Sequence, residues 1–129
     1  MAFPWRYVDS MAIPWSPSQL ECVNAAIGAH PAESGRCAEL ARQVAPVARE
    51  LDPETHGLLV TPRPGMGRFV VPLAGHGRWY HHVTTAVNAH CVDALTGSSG
   101  TGMGSYLVAH WLHAEALRLA PVDLEEPWL

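Results

Sequence analysis

Cysteine, histidine and aspartate occur in this chain in an order and a setting suited to thiol chemistry. Cys37 follows Ser34-Gly35-Arg36 at the expected start of a helix. With Ser34 as N-cap, Cys37 falls at the third helical position. There the positive end of the helix dipole and unpaired backbone N–H groups favour the thiolate, the nucleophilic form. Gly35 permits a close backbone approach, and the Cys37 N–H is placed to stabilise an oxyanion. Further along, Trp79–Val87 and His90–Ala94 read as two strands joined by the two-residue turn Asn88-Ala89. That turn sets Val87 opposite His90, Ala86 opposite Cys91, Thr85 opposite Val92 and Thr84 opposite Asp93. Side chains alternate along a strand, so His82, Thr84, Ala86, Cys91, Asp93 and Leu95 share a face. His82 and Asp93 are then diagonal neighbours, while His81 points the other way. A histidine–carboxylate pair facing a thiol at a helix start supplies the nucleophile, base and orienter of a thiol hydrolase. Singly, each residue has a simpler explanation: Cys37 in the core, His82 on a half-buried strand, Asp93 in a turn before Thr96-Gly97. Together, the order and the shared face favour the catalytic arrangement.

Positioning these groups requires a helix, a hairpin and whatever covers them. Ser16-Pro17-Ser18-Gln19 carries a capping box with Pro at the first helical position, and Gly28 is placed to end that helix. In the second helix Cys37, Leu40, Ala41, Val44, Val47, Ala48 and Leu51 trace one face, with Pro46 expected to kink it and Asp52-Pro53 to stop it. Leu58-Leu59-Val60 and Arg68–Leu73 read as strands ahead of the hairpin. Residues 97–104 read as a mobile Gly/Ser connection, suited to a lid. A closing helix is expected over Gly104–Leu119, with Leu107, Val108, Trp111 and Leu112 on one stripe. The class is therefore α+β: one domain over 1–129, with an irregular Trp/Pro arm at 1–15 and helices at 16–51. Antiparallel strands occupy 58–95, the C-terminal helix 104–119, and the helices pack on one face.

Composition bounds the partners. The net charge is −4 and the eight basic residues are scattered, which argues against nucleic acid. No apolar run approaches the roughly 20 residues needed to cross a bilayer, so no membrane partner is expected. Three cysteines with no secretory leader read as reduced thiols in the cytoplasm, or in a protein exported without a classical signal. Cys22 reads as a core residue, and Cys91 as a residue lining the site or packed beneath it. Eight histidines raise metal binding, but His81-His82 and His90-Cys91 are adjacent pairs pointing to opposite faces, so no metal is expected.

Gly35-Arg36-Cys37-Ala38-Glu39-Leu40 resembles the nucleophile helix of papain-like cysteine hydrolases. The stretch from His82 to Gly97 is similar to the hairpin of bacterial papain-fold toxin and protein-glutamine deamidase domains. There a His strand is followed by a strand ending in Asp, two or three residues and Thr-Gly. Gly57–Pro64 resembles the strand that precedes that hairpin. The resemblance covers about residues 33–97. It implies a papain-like fold with Cys37 as nucleophile, His82 as base and Asp93 as orienter, acting on an amide of a protein or peptide without a cofactor. Glutamine deamidation, peptide cleavage or transglutamination would each use this chemistry, in a toxin or effector role. The family often has Gln or Asn upstream of the cysteine to complete the oxyanion hole, whereas the residue six before Cys37 is Pro31. Gln19, Asn24 and Ser34 are the candidates for that role, with Gly35 beside the thiol and Trp79 as a wall of the cleft. The alternative is a non-catalytic interaction or adaptor domain of the same fold, engaging a partner protein through the Trp-rich arm.

Overall fold

The structure, a computed structural model, describes residues 12–129; Trp5 and most of the Trp/Pro arm lie outside them. Gln19 donates its backbone N–H to Ser16 Oγ at 3.1 Å, and Ser16 donates its own to Gln19 Oε1 at 2.9 Å. This reciprocal cap, with Pro17 leading, starts helix α1 (Pro17–Ala29). The helix runs through Gly28 and ends where the His30 N–H turns back to the Ala26 and Ile27 carbonyls.

Helix α2 (Cys37–Leu51) differs at its start from the expectation. Ser34 closes a single 3-10 turn (Ala32–Ser34), Gly35 adopts the left-handed conformation at φ 71°, and Arg36 is the N-cap. The Ser34 hydroxyl is spent on the Arg36 N–H at 3.3 Å, so it cannot cap the helix. Cys37 therefore opens α2. The helix continues through Pro46, which cannot donate to the Arg42 carbonyl.

Among the described residues five antiparallel strands form one sheet in the order β4-β3-β2-β1-β5. They are β1 (His56–Pro62), β2 (His82–Val87), β3 (His90–Asp93), β4 (Gly97–Gly102) and β5 (Leu117–Val122). The β2–β3 hairpin has the register its two-residue turn predicts: Val87 opposite His90, Ala86 opposite Cys91, Thr85 opposite Val92. Asn88 and Ala89 both have positive φ, 50° and 62°, as a primed turn requires.

Three expectations fail around this hairpin. Arg68–Leu73 is not a strand: Val70 bridges Trp79 and Pro72 bridges Trp111, each in isolation. Glycines and prolines on either side break the ladder before it extends. Residues 97–104 are not a free loop but mostly the edge strand β4. A Cβ on Gly100 would lie 3.0 Å from the Cys91 carbonyl oxygen and 3.2 Å from His90 Cβ, so that glycine marks a close approach. The closing helix shrinks to α3 (Tyr106–His110), because His113 turns left-handed at φ 53° and Leu117–Val122 pairs with β1. Val108 and Leu112 from the expected apolar stripe are 73% and 43% exposed.

The sheet is covered on both faces. Val83, Val87 and Val92 pack with α1 and α2 through Val23, Leu40, Val44, Ala45 and Ala48. Leu58, Val60, Ala86 and Cys91 pack on the other side with Val70, Tyr106, Trp111 and Leu117. The two long helices do share a face, while α3 and the 63–81 segment supply the second layer. β2 is buried at every position, which fixes its register tightly. Among the described residues no helix is long and apolar enough to cross a membrane.

Candidate active site

Cys37 sits where α2 begins, over the start of β2. No side chain caps α2, so the helix dipole and the free N–H groups of its first turn are directed at the thiol. Burial alone would raise the pKa of Cys37. The hydrogen bond and charge of His82 outweigh it, helped by the backbone N–H groups of Val83 and Ala38, and the net shift is downward. The thiolate is thus favoured by charge, by dipole and by two backbone donors at once.

His82 is 3% exposed and Asp93 2%. The His82 Nε2–H donates to Asp93 Oδ2 at 3.1 Å, leaving Nδ1 as the ring atom for the thiol. Burial disfavours the imidazolium, but the Asp93 hydrogen bond, the Cys37 hydrogen bond and their charges prevail, raising His82 to about 9. Asp93 accepts three further bonds: from Tyr106 Oη at 2.6 Å on Oδ2, and from the Leu95 and Thr96 N–H groups at 2.8 and 3.1 Å on Oδ1. Against its burial, the hydrogen bond and charge of His82, with the Tyr106 and Thr84 hydroxyls, hold the carboxyl down at about 2. A carboxylate so saturated with donors stays ionised and fixed in orientation.

Aromatic rings hold the imidazole in place. Trp79 stacks on His82 at 5.5 Å and 21°, Trp111 lies 5.1 Å from it, and the two indoles meet edge to face at 5.9 Å. Such contacts stabilise by about 0.5–1.5 kcal/mol each beyond area burial. His81 points away and meets Trp128 edge-on at 5.7 Å; burial and the His82 charge lower its pKa.

The thiol opens into a cleft of about 340 Å³ lined by Gly35, Arg36, Arg42, Arg78, Trp79 and His82, among others. Of the expected oxyanion candidates, Gly35 lines this cleft, Ser34 is turned to Arg36, and Asn24 is exposed on α1. Among the described residues no Asn or Gln side chain lines the cleft, which leaves the Cys37 N–H as the expected oxyanion donor at the thiol. Cys91 packs beneath the site among Tyr106 and Trp111; its burial and the Asp93 charge raise its pKa to about 12. Cys22, expected in the core, is exposed on α1. Among the described residues no group of three or more His, Cys, Asp or Glu side chains could hold a metal ion.

Sequence reasoning missed Tyr106, Trp111 and the arginine-lined wall. Tyr106 and Trp111 lie in a segment read as a long helix, where nothing in the spacing ties them to Asp93 or His82. Comparison with protein-family models, curated proteins and solved structures finds no match to this chain.

Proposed function

We propose that the chain is a papain-like cysteine hydrolase acting on an amide of a protein or peptide. The observation that carries this reading is the Cys37 thiol, its pKa lowered by His82, with that ring bonded at 3.1 Å to a buried, ionised Asp93. An interaction domain has no need of a charged pair held against the cost of burial. In the reaction the Cys37 thiolate attacks the carbonyl carbon, and negative charge develops on oxygen near the Cys37 N–H. The tetrahedral intermediate collapses to a thioester as His82 gives its Nδ1 proton to the leaving amine. Water, deprotonated by His82, then attacks the thioester; carboxylate leaves and the thiolate returns. Asp93 stabilises the imidazolium and fixes its tautomer throughout. Loss of ammonia from a glutamine side chain and cleavage of a backbone amide are the same steps with different leaving groups, and the His-strand/Asp-strand hairpin leans the proposal towards deamidation.

The test is iodoacetamide labelling across pH, with each modified cysteine located by mass spectrometry. Exposed Cys22 serves as the internal reference. Selective labelling of Cys37 well below pH 8 is expected, with amide hydrolysis that Cys37→Ala abolishes. Labelling of Cys37 no faster than Cys22 at every pH would leave a non-catalytic interaction domain as the better reading.

A further inference from the structure

The chain carries a net charge of −4, yet among the described residues three arginines line the cleft that holds Cys37. Arg36 and Arg42 come from the start of α2, and Arg78 from the segment before β2, so arginines from two parts of the chain line the cleft beside the thiol. Among the described residues Glu39 is the one carboxylate side chain that lines the same cleft, and Leu129, the last residue, lines it as well. Glu39 lies 3.6 Å from Arg36 and is shared with His30 at 3.7 Å. Arg42 is bound to two neutral acceptors, donating to the Leu124 carbonyl at 2.6 Å and the Glu126 carbonyl at 3.0 Å, so it keeps its full charge. Arg78 has no carboxylate within ion-pair distance among the described residues. Its guanidinium instead lies over the Phe69 ring at 4.5 Å, and Phe69 packs against Tyr80 at 5.1 Å. That shelf orders the planar fork while leaving its edge N–H groups for a ligand.

We infer that this cleft selects acidic substrates: protein segments with a side-chain carboxylate within a residue or two of the amide that Cys37 attacks. This rests on the proposed thiol hydrolase reading and names its substrate class. Excess positive charge in a concave site concentrates anions there even when the molecule as a whole repels them. Arginine forks add bidentate geometry that suits carboxylates. Arg42 is engaged by the Leu124 and Glu126 carbonyls; Arg36 and Arg78 are the groups left to meet substrate.

The cleft's charge is read by the ratio of Cys37 alkylation rates with iodoacetate and iodoacetamide. In both reactions the thiolate sulfur forms the new C–S bond and iodide departs with its electron pair; the reagents differ in carrying a carboxylate or a neutral amide. The imidazolium favours the anion in every variant, so differences between variants report the arginines. Arg36→Gln/Arg78→Gln is expected to lower the ratio by about threefold to tenfold, and 0.5 M salt to lower it in the native protein. Arg78→Lys, which keeps the charge, is expected to hold the ratio closer to native than Arg78→Gln does. A ratio unchanged by the double substitution and by salt overturns the inference, while rapid labelling by iodoacetamide would still uphold the hydrolase reading. A capped tetraglutamate peptide is expected to protect Cys37 from iodoacetamide where tetraglutamine does not. Equal protection by the two peptides, or protection by inorganic phosphate alone, overturns the carboxylate assignment.

Discussion

Asp93→Asn tests the electrostatic chain behind Cys37 with a change of one atom. The side-chain oxygen of asparagine can still accept from the Leu95 and Thr96 N–H groups, so the turn after β3 keeps its bonds. The amide nitrogen replaces Oδ2 and is a donor, facing the ring nitrogen that now donates to Asp93. The imidazole must therefore present Nε2 as acceptor and carry its proton on Nδ1, towards Cys37. That tautomer cannot take the thiol proton. Native His82 stands at about 9 against an ordinary 6.5, despite burial that pulls the other way. At about 1.4 kcal/mol per unit, the imidazolium is favoured by about 3 kcal/mol net of that burial. Removing the carboxylate is expected to lower His82 and, with the imidazolium no longer held, to raise Cys37, cutting its iodoacetamide labelling at pH 6 by about tenfold to a hundredfold. In the native protein, hydrolysis is expected to fall on the acid side through the lowered Cys37 pKa and on the alkaline side through about 9. Asp93 also sets an acid limb of stability. Its folded pKa is depressed from 3.8 to about 2, so its contribution, about 2 kcal/mol, is present above pH 4 and lost as pH falls to about 2. The variant should lack that limb in urea titrations. A folded Asp93→Asn protein whose labelling profile overlays the native one would refute the reasoning. If the variant melts below the assay temperature, Tyr106→Phe, which removes only the 2.6 Å bond to Oδ2, asks the same question. It should raise Asp93 and, through the more basic carboxylate, His82, moving the alkaline limb upward.

Three further predictions concern the supports of the site. Ala89→Gly should stabilise the fold by about 1 kcal/mol, seen as a higher urea midpoint, because Ala89 holds φ 62°, a region that glycine enters without steric cost. Gly57→Ala should destabilise by about 1–3 kcal/mol, since the new methyl would lie 2.7 Å from Leu124 Cγ and 3.0 Å from the Val122 carbonyl; a neutral urea midpoint would show the C-terminal segment to be loosely packed. Trp79→Leu removes the ring stacked on His82 at 5.5 Å and should slow Cys37 labelling by about tenfold with a smaller change in melting temperature, a split that loss of general packing would not produce.

The parts of the fold that could be read in the sequence are those fixed by local chemistry. The α1 cap needs only Ser16, Pro17 and Gln19, and the hairpin register needs only a two-residue turn between alternating strands. Once that register is known, His82 rather than His81 must face Asp93. The failures lie where tertiary pairing overrides local preference. Gly-Ser-Ser-Gly-Thr-Gly has almost no strand propensity, yet β3 had an open edge and Gly100 could approach it closely. Leu117–Leu119 continues an apolar helical pattern on paper, but β1 also had an open edge, and pairing there with Leu117–Val122 satisfies a row of backbone groups that a longer helix would leave bare. Ser34 looked like a helix cap because capping and turn-forming serines use the same short hydroxyl; the glycine after it decided between them.

Those same misreadings conceal half of the site. Tyr106 reaches Asp93 because α3 is short and Trp111 leaves the helix to bridge Pro72, which lets both aromatic residues fold over the second face of the sheet. A helix continued to Leu119 would have left β1 without β5 and carried the 111–119 segment away from His82. The edge pairing that closes the sheet thus also delimits the aromatic cover over the buried histidine–carboxylate pair. Water excluded by that cover strengthens every interaction within it, including the one that lowers the Cys37 pKa. The chemistry of the thiol is therefore set as much by where the last strand docks as by the three residues that would carry the reaction.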